Sequence, residues 1–477
     1  VESASISFIF FGLAVALLSN LSRSPGWRAA VLFLASLAFL GVISHDPIVW
    51  IPLAGFLLFG YAALLWVGRQ KGRGLGWAVI AVILAYFWLK KYTFLPAASF
   101  LSISYLTLGL SYIFFRVLHL IIEAGEQTRQ PIGLGAYLLY LINFTTFVSG
   151  PVQRYEEFAR DQFAAEPLAL DIPTIARQLE RIVYGLFKVN VLALLLSWLQ
   201  QDALADLGHP LPTPALLWAG FRLALVYPFF LYANFSGYID IVIALARLMR
   251  LELPENFDRP FSSTSFLEFW NRWHITVSTW LKTYVYNPLL TALMRRFPSP
   301  AAAPGLAVLS FFVTFFLVGL WHGRTSEFLF FGVLQGGGVA FVKLWQVLLT
   351  GLLGRKQYKA LAANAFYTGL ARGLTLSWFA FTLFWFWASW QQIGAMAAAL
   401  GYGRWILVWA GVGLAASILL AAYEGARGLA LRLRTSEGPL LASRYARMVY
   451  VTVLGVLVLV VQVLLNQQAP DIVYKAF

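Results

Sequence analysis

The stretch PENFDRPFSSTSFLEFWNRWHITVSTWLKTYVYNP, from Pro254 to Pro288, decides the reading of this chain. Trp270, Asn271, Arg272, Trp273 and His274 stand together in it, followed by Ser278, Thr279, Trp280 and Lys282. If 266–284 is a helix, successive residues turn by about 100°. Trp270, Trp273, Val277, Trp280 and Tyr284 then share one face. Asn271, His274, Ser278 and Lys282 form a second stripe roughly 130° away. An aromatic face set against a compact polar stripe suits a helix that packs in or near lipid and lines a wet cavity. A second anchor, Gly319-Leu320-Trp321-His322-Gly323, closes an apolar run. An imidazole at membrane depth is costly unless it has partners or a task. The two histidines are 48 positions apart, enough for a helix, a connection and a second helix to bring them face to face.

Composition sets the class. Of 477 residues, 60% are hydrophobic and only 12% charged, whereas a soluble domain is about a quarter charged. Runs long enough to cross a bilayer, about 20 residues each, predict an all-α polytopic membrane protein. Candidates are 5–21, 29–44, 48–67, 75–89, 100–122, 132–147, 182–199, 215–232, 306–320, 328–349, 374–390, 405–422 and 448–465. Some are short, so 11–13 transmembrane or re-entrant helices are expected, set around a central chamber. Cysteine is absent, which excludes disulfides, thiolate-held metals and thiol nucleophiles. The five histidines are scattered, so no metal site is expected. The net charge of +14 comes largely from residues at the ends of apolar runs, such as Arg23, Arg28, Arg69, Lys90, Lys91, Arg295 and Arg355. That placement follows the positive-inside bias and anionic headgroups rather than nucleic-acid binding.

Along the chain, basic loops near Arg23 and Arg69 are expected on the cytoplasmic side, with the first residues and the acidic segment 201–209 outside. The opening residues lack a basic n-region and no A-x-A site follows Leu21, so a cleaved signal peptide is disfavoured. Four candidate runs between Arg73 and Asp202 would return Asp202 to the wrong side. One of them is therefore expected to be re-entrant, either 132–147, which ends in Val148-Ser149-Gly150-Pro151, or 75–89. The polar segment 154–181 reads as amphipathic helix and loop, and 250–264 as a cytoplasm-facing loop before the central helix. No repeat or soluble second domain is evident, and 1–477 reads as a single membrane domain.

Four motifs in order carry a resemblance: FSGYIDI at 235–241, PENFDRPF at 254–261, FWNRWHITVSTWLKTYVYNPL at 269–289 and GLWHG at 319–323. They resemble the membrane-bound O-acyltransferase family, in particular its bacterial alginate O-acetyltransferase and teichoic-acid D-alanyl transfer branch. The best-matched core is 109–323. Two departures are visible. Lys282-Thr283-Tyr284 stands where alginate-type relatives often carry Arg-Asp-Tyr, and LFWFWASW at 383–390 lacks the Arg that commonly follows there.

The resemblance implies an O-acyltransferase of the bacterial cytoplasmic (inner) membrane. Acetyl is the expected group, with acetyl-CoA or another acyl thioester as donor substrate and no bound cofactor. The acceptor would be a secreted or cell-surface polysaccharide, reached directly or through an extracytoplasmic relay acyltransferase, and membrane lipid is the other partner. Acyl transfer to a hydroxyl needs a base, which neutral imidazole supplies near pH 7. The family's membrane histidine falls on His322; otherwise His322 is a helix-end histidine satisfied by carbonyls. His274 is a second catalytic candidate, as partner, orienter or oxyanion donor, unless its stripe only meets headgroups. Asn271, Ser278, Trp273 and Trp321 accompany them. Arg272 or Lys282 could bind the donor's phosphates. Asp240, beside Tyr238 in an apolar run, could orient a histidine or pair with an Arg, and Ser111 and Arg116 could line the chamber. Glu255 and Asn256 read as braces for the loop. A lipid or saccharide flippase, or a scaffold for a polysaccharide synthase, is the alternative without acyl-transfer chemistry.

Overall fold

The computed structural model describes residues 5–96, 100–101, 105–126, 131–432, 444–466 and 470–471. Its elements are helical, and no β-strand occurs among the described residues. Among the described residues, eight helices are long and apolar enough to cross a membrane: Pro25–Ile43, Pro47–Arg69, Ile172–Leu207, Thr213–Leu248, Ala303–His322, Ser326–Ala363, Tyr402–Leu429 and Tyr445–Leu464. Ile6–Ser19 and Leu75–Lys90 are shorter apolar helices. The all-α polytopic expectation holds. The remaining apolar runs are interrupted rather than continuous. Run 374–390, for example, divides into Ala365–Thr382 and Phe384–Trp387.

Run 132–147 shows what interrupts such a segment. It consists of Leu134–Ile142 and Phe144–Phe147, and nine helical residues reach only about 14 Å against a hydrocarbon core of about 30 Å. Asn143 makes the break. Its side chain accepts from the Thr145 backbone N–H at 3.1 Å and from the Thr145 hydroxyl at 2.9 Å, capping the second piece. Carbonyls freed at a break inside a membrane protein need donors. Arg116, fully buried, supplies them: its guanidinium donates to Tyr140 O and Thr146 O, each at 3.1 Å, and to Thr146 Oγ1 at 2.9 Å.

Contacts divide the chain into two compact units. One comprises Val1–Val189, Asn234–Glu255 and Gln467–Phe477; the other comprises Asn190–Ala233 and Asn256–Asn466. In the first unit, the Asp171 side chain caps the Ile172–Phe187 helix by accepting from Thr174 N at 2.9 Å, and hydrogen bonds from the Thr174 side chain and backbone hold the carboxyl below the usual range. That helix passes through a π-helical turn, Lys188–Ala193. Asp240 faces it and accepts from Arg181 Nε at 2.9 Å and from Lys188 Nζ at 2.6 Å. Arg181 also grips both oxygens of Glu255 at 2.6 Å. Asp240 thus neutralises two cations on a half-buried surface. Removing it by Asp240→Ala leaves them facing each other, which is expected to cost about 1–3 kcal/mol after allowing for solvent access. Thermal unfolding in detergent reads this directly, and an unchanged midpoint would show the cluster to be energetically idle.

The second unit contains a closely packed helix pair. Ala303–His322 and Ser326–Ala363 meet at Gly319, Gly332 and Gly336. A Cβ at Gly319 would lie 2.3 Å from Phe328 O and 2.4 Å from Gly332 Cα. Small residues let membrane helices approach in this way and gain dispersion contacts that lipid cannot provide. His322 is the last residue of the first helix, so this seam sets where the imidazole stands.

Candidate functional site

The 266–284 segment is not one helix. Phe266–Arg272 and Ile275–Leu281 are separate, with Trp273 extended (φ −109°, ψ 129°) and His274 left-handed (φ 47°, ψ 50°). The reason lies in the preceding loop, which pairs with the break. Phe257 and Trp273 form an antiparallel bridge, Asp258 N donates to Arg272 O at 2.9 Å, and Ile275 N donates to Asn256 O at 3.0 Å. A left-handed non-glycine residue is strained by roughly 1–2 kcal/mol, and this pairing holds it there. The two-stripe arrangement is thereby corrected.

Local chemistry explains both flanking pieces. Ser265 caps the first by accepting from Glu268 N at 3.1 Å, and the Glu268 carboxylate accepts from Thr264 N and Oγ1 at 2.8 Å each. Arg272 pairs with Glu268 one turn back at 2.8 Å. Trp273 is buried, stacked 5.5 Å from Phe269 and set against Phe257 and Phe379 at 5.1 Å each. The Ser278 hydroxyl donates to the Trp273 carbonyl at 3.3 Å, serving the break itself. Asn271 and Lys282 are exposed, so they do not share a surface with buried His274.

His274, 1% exposed, is turned inward by this break. Its Nδ1 lies 3.3 Å from Asn256 Oδ1. The same oxygen accepts from Thr276 N at 3.1 Å and from Thr276 Oγ1 at 3.0 Å. His274 belongs to none of the spanning-length helices, and burial alone pushes its imidazole down to about 3. It is therefore neutral at physiological pH. Trp321 connects it with the second histidine: its ring centroid is 5.9 Å from that of His274 and 4.6 Å from that of His322. The two imidazoles thus lie no further apart than those distances combined. His322, also buried, is enclosed by Phe331 at 5.8 Å and Phe386 at 5.1 Å, both edge-on.

The structure thus gathers His274, His322 and Trp321 in the second unit and adds Asn256, Thr276, Phe331 and Phe386. Of these, Asn256 stood in a quoted motif but was read as a loop brace. Phe386 lies in the 383–390 segment marked only by its missing Arg. The remaining candidates belong to the first unit. Ser111 accepts from buried Lys90 Nζ at 2.8 Å and meets Tyr86 OH at 3.2 Å. Arg116 braces the Asn143 break, Asp240 pairs with Arg181 and Lys188 rather than with a histidine, and Tyr238 is fully buried.

An aligned region of 400 residues is 26% identical to the teichoic acid D-alanyltransferase of Bacillus subtilis, covering 79% of this chain and 95% of that protein. The teichoic acid D-alanyltransferase of Streptococcus thermophilus is 31% identical over 246 residues, 50% of this chain and 57% of its own. The probable alginate O-acetylase AlgI of Pseudomonas aeruginosa is 29% identical over 354 residues, 69% of this chain and 63% of its own. The chain thus spans less than two thirds of the Streptococcus and Pseudomonas relatives. A model of the membrane-bound O-acyltransferase family matches residues 32–382, which include both histidines and the four motifs that carry the resemblance. On that match, this multi-pass membrane chain belongs to the membrane-bound O-acyltransferase family.

Proposed function

We propose that this protein is an O-acyltransferase of the bacterial cytoplasmic (inner) membrane. It moves an acyl group, most simply acetyl, from a cytoplasmic thioester to a hydroxyl of a secreted or cell-surface polysaccharide, directly or through an extracytoplasmic relay acyltransferase. The observation that carries this reading is the pair of buried imidazoles in contact with one indole, Trp321. The relatives' names, alginate O-acetylase and teichoic acid D-alanyltransferase, support acyl transfer to an envelope polymer. In this reading the acceptor hydroxyl attacks the thioester carbonyl carbon while His322 takes its proton. The C–O bond forms, the C–S bond breaks, and the proton passes to the departing thiolate. The ring cage of Trp321, Phe331 and Phe386 excludes water, which would otherwise hydrolyse the thioester.

Purified protein in detergent or vesicles, given acetyl-CoA and a hydroxyl acceptor, is expected to release thiol and form ester. Competing D-alanyl and acetyl thioesters distinguish the transferred group. A flippase or a synthase scaffold accounts for intramembrane polar groups without this chemistry. Thiol release no faster than the blank with every donor tried would favour those readings.

A further inference from the structure

The hydrogen bonds around Asn256 determine which nitrogen of His274 carries its proton. The Thr276 backbone N–H can only donate, so the Asn256 atom 3.1 Å from it must be the amide oxygen. That oxygen can only accept. His274 Nδ1, 3.3 Å from it, must therefore carry hydrogen. A neutral imidazole with hydrogen on Nδ1 has its lone pair on Nε2. The opposite amide orientation would set Nδ2–H against the Thr276 N–H, two donors face to face. Asn256 is itself fully buried, and its Nδ2 makes no hydrogen bond among the described residues. The residue thus leaves both N–H donors of its amide unsatisfied while its oxygen serves the break. Such an orphaned group costs about 1–3 kcal/mol, an outlay without purpose if Asn256 were only a loop brace.

We propose that Asn256 is a positioning residue that locks His274 as the Nδ1–H tautomer, so that Nε2 is a proton-accepting edge. The backbone supports the same end. Asn256 O receives Ile275 N–H at 3.0 Å, so both ends of one residue flank the left-handed His274 and fix its ring. The consequence for the reaction, which rests on the acyltransfer reading, is specific. A neutral His274 accepts a hydrogen bond, from a hydroxyl or an amide N–H of the thioester carrier, and does not donate one to an oxyanion. The oxyanion-donor role considered from the sequence is excluded by this arrangement.

The test is imidazole ¹⁵N spectroscopy of histidine-labelled full-length protein, with His274→Gln identifying the signal among five histidines. Wild type is expected to show hydrogen on Nδ1 and a bare Nε2. Asn256→Asp keeps an acceptor at that point and should keep the tautomer. Thr276→Val removes the competing hydroxyl donor and should keep it too. Asn256→Ala should release it to a mixture, with kcat lower by about 10–100-fold and KM for the thioester little changed. Hydrogen on Nε2 in wild type, or an Asn256→Ala spectrum identical to wild type, overturns the proposal. If Asn256→Ala does not fold, the wild-type and Asp spectra decide. These spectra need no turnover, so a protein with the expected tautomer and no thioester cleavage sinks the acyltransfer reading alone.

Discussion

His322→Ala, and the better space-filling His322→Gln, are expected to reduce acyl transfer by about 10²–10⁴-fold, or roughly 3–5 kcal/mol of barrier. Folding and insertion should persist. The imidazole sits at a helix end among Trp321, Phe331 and Phe386. A glutamine occupies similar space there but cannot take a proton near neutrality. If His322 merely packed, its loss would instead appear as lower yield and a lower melting temperature with turnover per folded molecule intact. His274→Ala should damage turnover less uniformly, because water can replace a hydrogen-bond acceptor more readily than a base. Near-full turnover of His322→Gln at normal stability would transfer the base assignment to His274, which would then have to lose the burial that pushes its imidazole down to about 3.

The second large effect concerns Gly319. Gly319→Val is expected to destabilise the protein by about 3 kcal/mol or more, because its first carbon would lie 2.3 Å from a backbone oxygen and 2.4 Å from Gly332 Cα. Neither neighbour is the end of a flexible side chain, so the helices must separate. His322, one turn further along the same helix, moves with them. Purified Gly319→Val should melt well below wild type and lose activity in the part that remains folded, whereas Gly337→Ala, where nothing lies within 4 Å, should melt like wild type. Equal melting of Gly319→Val and wild type would mean that the seam does not exist as described.

The spans were legible because apolar runs of sufficient length are a composition signal. The GLWHG motif was legible too, although the reason for its first glycine was not, since the partner backbone, at 328–332, belongs to the next helix. The break at His274 was hidden for a different reason. Periodicity assigns a face to each residue only while φ and ψ stay helical, and Trp273 and His274 depart from that under the pull of a loop 15–18 positions earlier. Asn271 and Lys282 were placed beside His274 by a periodicity that stops between them. Phe331 and Phe386 could not have been singled out among 40 phenylalanines. Asn256 was readable as polar and well placed, but which of its atoms does what is a property of three-dimensional geometry alone.

The pairing of 256–258 with 272–275 also has a bearing on how the site is assembled. It closes a loop of fewer than twenty residues, with Asn256 and His274 only 18 apart, and short closures have a small entropic penalty and form early. The backbone seat of His274 can therefore form from this local pairing, while its contact with Trp321 and the packing of Trp273 on Phe379 wait for later helices. His322 acquires its position from a second short closure, the pairing of Gly319 with 328–332 on the next helix. The two imidazoles are thus seated by separate local closures, so a folding defect can strike one while sparing the other. In pulse-labelled hydrogen exchange during refolding, Gly319→Val should delay protection around Gly332 and leave that at Ile275 N–H unchanged.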